Sequence, residues 1–216
     1  RLTLSEALPA LDKPGLIRTL LNKSDSKPLD PDGFLGYLNS DEAEQTVSYF
    51  NERIFIPSTD NFTQFLKLLM SKKAYDGNGI KISRLRTKEI LDEIVEQRDP
   101  WRAEHLGLGS SFKEKTGRFY ITNSRGLTET LDEDTLMEYR TPGIRNPISL
   151  EDWIRNPTRQ GLPKKNVKSG DLWYWCPREN SVAWFGANSG RAILNCSEGP
   201  SCSGASLGVR VARFKE

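Results

Sequence analysis

The chain has 216 residues of which 36% are hydrophobic, enough to bury one sizeable core and more in keeping with one domain than two. Its 31 Lys and Arg stand against 29 Asp and Glu, a net charge of +2, so no polyanion-binding field is implied and nucleic acid is not an expected partner. No apolar run approaches the roughly 18 residues that cross a bilayer, and RLTLSEALPALDKPG at the start lacks the continuous apolar core of a signal peptide, so a soluble chain without a membrane span is expected.

Residues 1 to 33, rich in Pro, Lys, Asp and Ser after LIRTLL and ending in the turn DPDG, predict an N-terminal extension, and residues 34 to 216 the domain proper. SDEAEQTVSYF (40 to 50) predicts a short helix, with Asp41 as cap and Glu44 three residues on. Behind Ser58 to Asp60, the spacing of Phe62, Phe65, Leu66, Leu69 and Met70 predicts a core helix that DGNG ends. RTKEILDEIVEQR places Ile90, Leu91, Ile94 and Val95 on one face of another, with Thr87 as its cap candidate.

The pattern then changes to strands. GRFYITN (117 to 123) alternates bulky and polar residues, and the remaining helix signal is SLEDWIRNP, capped by Ser149 and stopped by Pro157. GLPKKNVKSG (161 to 170) has no aromatics for base stacking and predicts a solvated loop. DLWYWCP and SVAWF, separated by PREN, predict a hairpin, and RAILNC and LGVRVARF two further strands. Within RAILNC, Ala192, Leu194 and Cys196 alternate with Arg191, Ile193 and Asn195, so one set faces a core and the other points outward.

Chemistry-bearing residues are few. Cys176, Cys196 and Cys202 lack CxxC spacing or a His cluster, so neither a metal nor another cofactor is expected; Cys196 and Cys202 are compatible with a small disulfide loop or with two reduced thiols. His105, the one histidine, has no Ser or Cys nucleophile beside it in DPWRAEHLGLG and reads as a core or surface residue, which makes an enzyme an unexpected outcome. Residues 186 to 206 are mostly Gly, Ala, Ser and Asn between definite strands. Composition alone fits both a loop that needs positive φ and a binding surface on a stiff mount.

A resemblance separates these two readings. In the order SLEDW, GLPKKNV, GDLWYW, SVAWF, ANSGRA and LGVRVAR, residues 149 to 216 resemble the C-terminal region of variable proteins diversified by diversity-generating retroelements, in particular those of archaea and archaeal viruses. The resemblance implies an α+β fold of C-type lectin type, as in formylglycine-generating enzymes, with helices packed around a small antiparallel sheet whose last strand is Leu207 to Arg213 and with the chain ends close together. It also implies a non-catalytic, hypervariable binding surface for protein or glycan ligands, within a variable region of about 181 to 216; localisation stays open, a virion surface and a cell surface being among the options. Carried onto this chain, the variable positions are Gly186, Gly190, Arg191, Ile193, Asn195, Ser197, Glu198, Gly199, Ser201, Cys202, Gly204, Ala205 and Ser206. Trp184, Phe185, Ala187, Ala192, Leu194, Cys196, Pro200, Ser203 and Leu207 to Arg210 would be fixed. A copper oxidase like the formylglycine-generating enzymes, using Cys196 and Cys202, and a purely structural viral fibre domain are the alternatives.

Overall fold

A computed structural model describes residues 38–48, 54–75, 79–96, 103–107, 112–122, 128–188, 190–204, 207–209 and 212–213. The expected N-terminal extension and the expected meeting of the chain ends lie outside these residues. Among these residues helices α1 (Ser40–Ser48), α2 (Thr59–Met70), α3 (Arg84–Val95) and α4 (Leu150–Arg155) accompany ten strands. The strands form a two-stranded ribbon, a five-stranded sheet and a three-stranded meander.

Ser58 at the start of α2 makes no side-chain cap bond, whereas at α1, α3 and α4 a polar side chain takes up a free amide of the first turn. For α4 that residue is the expected Ser149, whose hydroxyl accepts from the Asp152 amide at 3.2 Å. Ser149→Ala should therefore cost about 1 kcal/mol, read as a lowered midpoint in thermal unfolding. At α1 the cap differs from expectation: Asn39 and Glu42 hold one another's amides at 2.9 and 3.1 Å, a reciprocal box two residues upstream of Asp41 and Glu44. At α3 the cap is Ser83, which accepts from the Arg86 amide, while Thr87 sits inside the helix and donates back to the Ser83 carbonyl.

The five-stranded sheet comprises β6 (Trp173–Trp175), β8 (Arg191–Glu198), β7 (Val182–Asn188), β2 (Ala103–His105) and β9 (Leu207–Val209), in that spatial order. It is mixed, which corrects the expected antiparallel sheet: β6 runs parallel to β8 and β2 parallel to β9. The expected hairpin of DLWYWCP with SVAWF does not form. Strand β7 instead makes its hairpin with β8, through the connection between paired Asn188 and Arg191, where Gly190 takes φ +76°. With β8 on one edge of β7 and β2 on the other, β6 pairs with the outer edge of β8.

The expected terminal strand is also divided. Leu207–Val209 forms β9, and Ala212–Arg213 (β10) leaves the sheet to pair with β1 (Ile54–Phe55). Strands β3 (Phe112–Lys115), β4 (Arg118–Thr122) and β5 (Thr128–Thr130) make the meander, of which the alternation in GRFYITN foreshadows only β4.

The main core lies between one face of the sheet and the helices. Phe185 of β7 packs with Phe62 of α2 at 5.0 Å between ring centroids and with Trp153 of α4 at 6.2 Å. Around them, Leu66, Leu69, Ile94, Ile154, Tyr174, Leu194 and Cys196 are buried. The segment 161–170 is only in part the expected solvated loop: Gly161, Leu162 and Pro163 are buried, whereas Lys165 and Lys168 are exposed. The Gly161 carbonyl accepts from the Trp153 indole at 2.9 Å and from the Thr63 hydroxyl at 3.0 Å, which fixes the loop to α2 and α4. Among the described residues no helix is long and apolar enough to cross a membrane.

Candidate functional site

The register of the sheet sorts the C-terminal residues by face. Facing the main core, Tyr174, Leu194, Phe185, Glu104 and Gly208 align across the five strands. The opposite face carries two such rows. One is Trp173, Ile193, Gly186, Ala103 and Leu207; the other is Trp175, Asn195, Trp184 and His105. The alternation expected along β8 is therefore present, because successive side chains of a strand must point to opposite faces.

That second face is not open at its centre, which corrects the expectation of an exposed Ile193. Ile193 is only 4% exposed and packs in a cluster of its own with Ala103, Trp184 and Leu207, flanked by the half-buried Trp173 and Trp175. Gly186 and Asn195 are buried as well. The cause is the aromatic side chains of the neighbouring strands: Trp173 and Trp175 meet edge to face at 6.0 Å and flank the apolar row. Trp184 is thus a core residue of a second, smaller cluster, and Trp173 and Trp175 pack against it half-buried.

A polar network lies beside that cluster, built from predicted variable residues. Asn195 accepts from the backbone amide and hydroxyl of Ser197 at 2.8 and 3.0 Å. The Glu198 carboxylate accepts from the Asn195 amide group and from the Trp184 indole, each at 3.4 Å. Cys202 joins it: burial pushes its thiol pKa up, and the charge of Glu198 and a hydrogen bond to it add to the rise. His105 is 2% exposed, and its Nε2 contacts the Leu38 carbonyl at 2.7 Å.

Burial lowers the His105 pKa from its usual 6.5, against the opposing Leu38 contact and the Glu198 charge. The unfolded chain then binds more protons than the folded one below that value. Stability is full above about pH 6.5 and is lost as the pH falls through the window down to the depressed folded pKa. The unfolding midpoint should decline between about pH 7 and pH 5 more steeply in the parent than in His105→Gln, measured by thermal melts.

Beyond the network the chain is open. Gly190, Arg191, Gly199 and Ser201 are exposed, and Ser197, Glu198, Cys202 and Gly204 are half-buried. A side chain added at Gly190, Gly199 or Gly204 would meet nothing within 4 Å, and of these three only Gly190 has positive φ. The Ser40 amide donates to the Pro200 carbonyl at 3.2 Å, and within the loop the Cys202 amide donates to the Gly199 carbonyl at 2.9 Å. Two residues expected as fixed, Pro200 and Ser203, are exposed. Ala205, Ser206 and Arg210 lie outside the described residues.

All three cysteines are free. Cys196 faces the main core, where burial, with the nearby Cys176 adding, holds its thiol pKa well above the usual value. Cys202 is half-buried and hydrogen-bonded to Glu198. Sequence reasoning missed His105 and Leu38 as neighbours of this face, since β2 is three residues long and carries Glu104 at its centre. The chain matches no protein-family model, no curated protein and no solved structure.

Proposed function

We propose that this chain is a non-catalytic binding protein whose C-terminal segment displays a hypervariable surface for a protein or glycan ligand. The surface is written by a diversity-generating retroelement, on a C-type lectin fold of the formylglycine-generating-enzyme type. The observation that carries the reading is the division along β8 and the following loop. Ala192, Leu194 and Cys196 are locked in the main core, while Arg191, Ser197, Glu198, Gly199, Ser201, Cys202 and Gly204 lie outside it with at least partial exposure. Fixed residues in the core and changeable residues along an accessible rim are what a diversified scaffold requires, because exposed substitutions cost little and core ones cost much.

In this reading Trp184, Trp173 and Ile193 form the floor beneath the rim, and ligand contacts come from the 197–204 loop and Arg191. The present rim carries small side chains, so this variant offers a shallow surface poor in aromatic anchors. The gene supplies the direct test. A near-copy of the final codons downstream, differing where that copy has adenine, beside a reverse-transcriptase gene, is the expected finding; a locus without either overturns the proposal. Incubation with copper and a thiol peptide should give no oxidation above that of free copper. Turnover lost in Cys196→Ser and Cys202→Ser would favour the oxidase instead.

A further inference from the structure

Among the described residues four of the six exposed large apolar side chains lie in one stretch, Leu68 at 50%, Tyr75 at 62%, Ile80 at 66% and Leu85 at 69% exposed, while Met137 and Ile144 stand apart from it in sequence. Leu68 stands in the last turns of α2 and Leu85 in the first turn of α3. The connection between the helices is tied by a bridge between Tyr75 and Lys81 and by the Ile82 amide donating to the Ala74 carbonyl at 2.9 Å. Leu69, Ala74 and Ile82 of this region pack on the main core, so its inward side is already committed. Exposed apolar groups gathered in this way mark interaction surfaces more often than scattered ones do.

Charge decides what kind. Residues 61 to 88 contain seven Lys or Arg and one acid, Asp76, in a chain whose total is only +2. Lys67, Lys72, Lys73, Lys81 and Arg84 are all exposed. Among the described residues no ion pair engages these five, whereas one turn further on Arg86 is paired with Glu89 and Glu93, and Lys88 with Asp92. Cations therefore accumulate where the apolar side chains are, at the end where α2 passes into α3.

We propose that this end of the α2–α3 pair docks on an anionic lipid surface. Leu68, Ile80 and Leu85 would enter the boundary between headgroups and acyl chains, Tyr75 would lie at headgroup level, and the lysines would reach lipid phosphates from aliphatic stems that lie along apolar surface. Cations interleaved with bulky apolar groups suit a medium that is negative outside and apolar beneath. A single-stranded nucleic acid would call for stacked aromatics, and Tyr75 is the only aromatic among the exposed apolar residues here. The surface shares no residue with the variable rim, so it stands or falls separately from the proposed ligand site.

Sedimentation of the full chain with sucrose-loaded vesicles tests this. Binding is expected to mixed phosphatidylserine and phosphatidylcholine vesicles, to be weaker by roughly tenfold or more on phosphatidylcholine alone, and to fall as salt rises. The charge variant Lys72→Glu with Lys73→Glu, and the apolar variant Leu68→Ser with Leu85→Ser, should each weaken it by roughly tenfold, while Lys164→Glu with Lys165→Glu leaves it unchanged. All of these side chains are at least partly exposed, and circular dichroism would verify that each variant is folded. Absence of binding, equal binding to both vesicles, or binding insensitive to both double variants overturns the proposal. Retention on immobilised polyglutamate without vesicle binding also overturns it and assigns the surface to an acidic protein.

Discussion

Gly161→Ala is expected to cost about 3 to 5 kcal/mol and to lower the unfolding midpoint by roughly 10 °C, although it adds a single methyl group. Gly161 has φ +80°, where an L side chain is strained, and an ideal Cβ there would press on the Thr59 carbonyl and lie 2.5 Å from the Asp60 amide nitrogen. Those atoms belong to the first turn of α2, which cannot retreat freely. Thr59 donates to the Gln160 carbonyl at 2.7 Å and Thr63 to the Gly161 carbonyl at 3.0 Å, while Trp153 holds the same carbonyl from α4. The Gln160 side chain ties the loop to the end of β5 through the Thr130 carbonyl and the Asp132 amide. Gly143→Ala is the control. Its φ of +83° imposes the same strain, but nothing lies within 4 Å, so about 1 kcal/mol is expected. Equal melting of the two variants would show that the close approach to α2 carries no energy.

The importance of that glycine was not legible in the sequence, where GLPKKNVKSG reads as a polar loop. Its burial depends on partners about one hundred residues away, Thr59 and Thr63, and no local pattern records them. Local signals did locate the helices, because a 3.6-residue apolar period and a capping side chain are written within a dozen residues. Even so, two caps were shifted: Asn39 with Glu42 satisfies the same spacing as Asp41 with Glu44, and both pairs stand in the same polar run. Thr87 resembled a cap but is fully buried within α3.

Sheet order was harder to read for a related reason. PREN and ANSGR both carry turn residues, and whichever connection closes first removes an edge of β7 from the other. The shorter one joins β7 to β8, leaving β6 to run parallel at the outside. Alternation in RAILNC gave the two faces correctly but not their environment. A strand's period says which side chains share a face; it does not say that Trp173, Trp175 and Leu207 from other strands will cover Ile193.

The variable rim and the scaffold beneath it should separate sharply when both are mutated. Gly199→Tyr, Ser201→Tyr and Gly204→Tyr, made together, should change the unfolding free energy by less than about 1 kcal/mol, since the two glycines have open space and no positive φ, and Ser201 is exposed. Leu194→Ala should cost roughly 2 to 5 kcal/mol and Phe185→Ala roughly 3 to 5, as each leaves a cavity in the main core. Gly190→Tyr belongs between these groups. Its side chain has room, but φ +76° adds about 1 kcal/mol of strain, so Asn is the better replacement there. Ile193 now falls with the scaffold, and Ile193→Ser should cost roughly 2 to 4 kcal/mol, because a hydroxyl would replace apolar contact with Trp184 and Leu207. Denaturant titration of all five proteins gives the ranking, and the triple tyrosine variant is then screened for binding to surface proteins and glycans. A triple variant that unfolds, or an Ile193→Ser as stable as the parent, would reverse the assignment of loop and strand. Retained stability with new or altered binding is the expected result, because three tyrosines would add the aromatic anchors that this rim lacks.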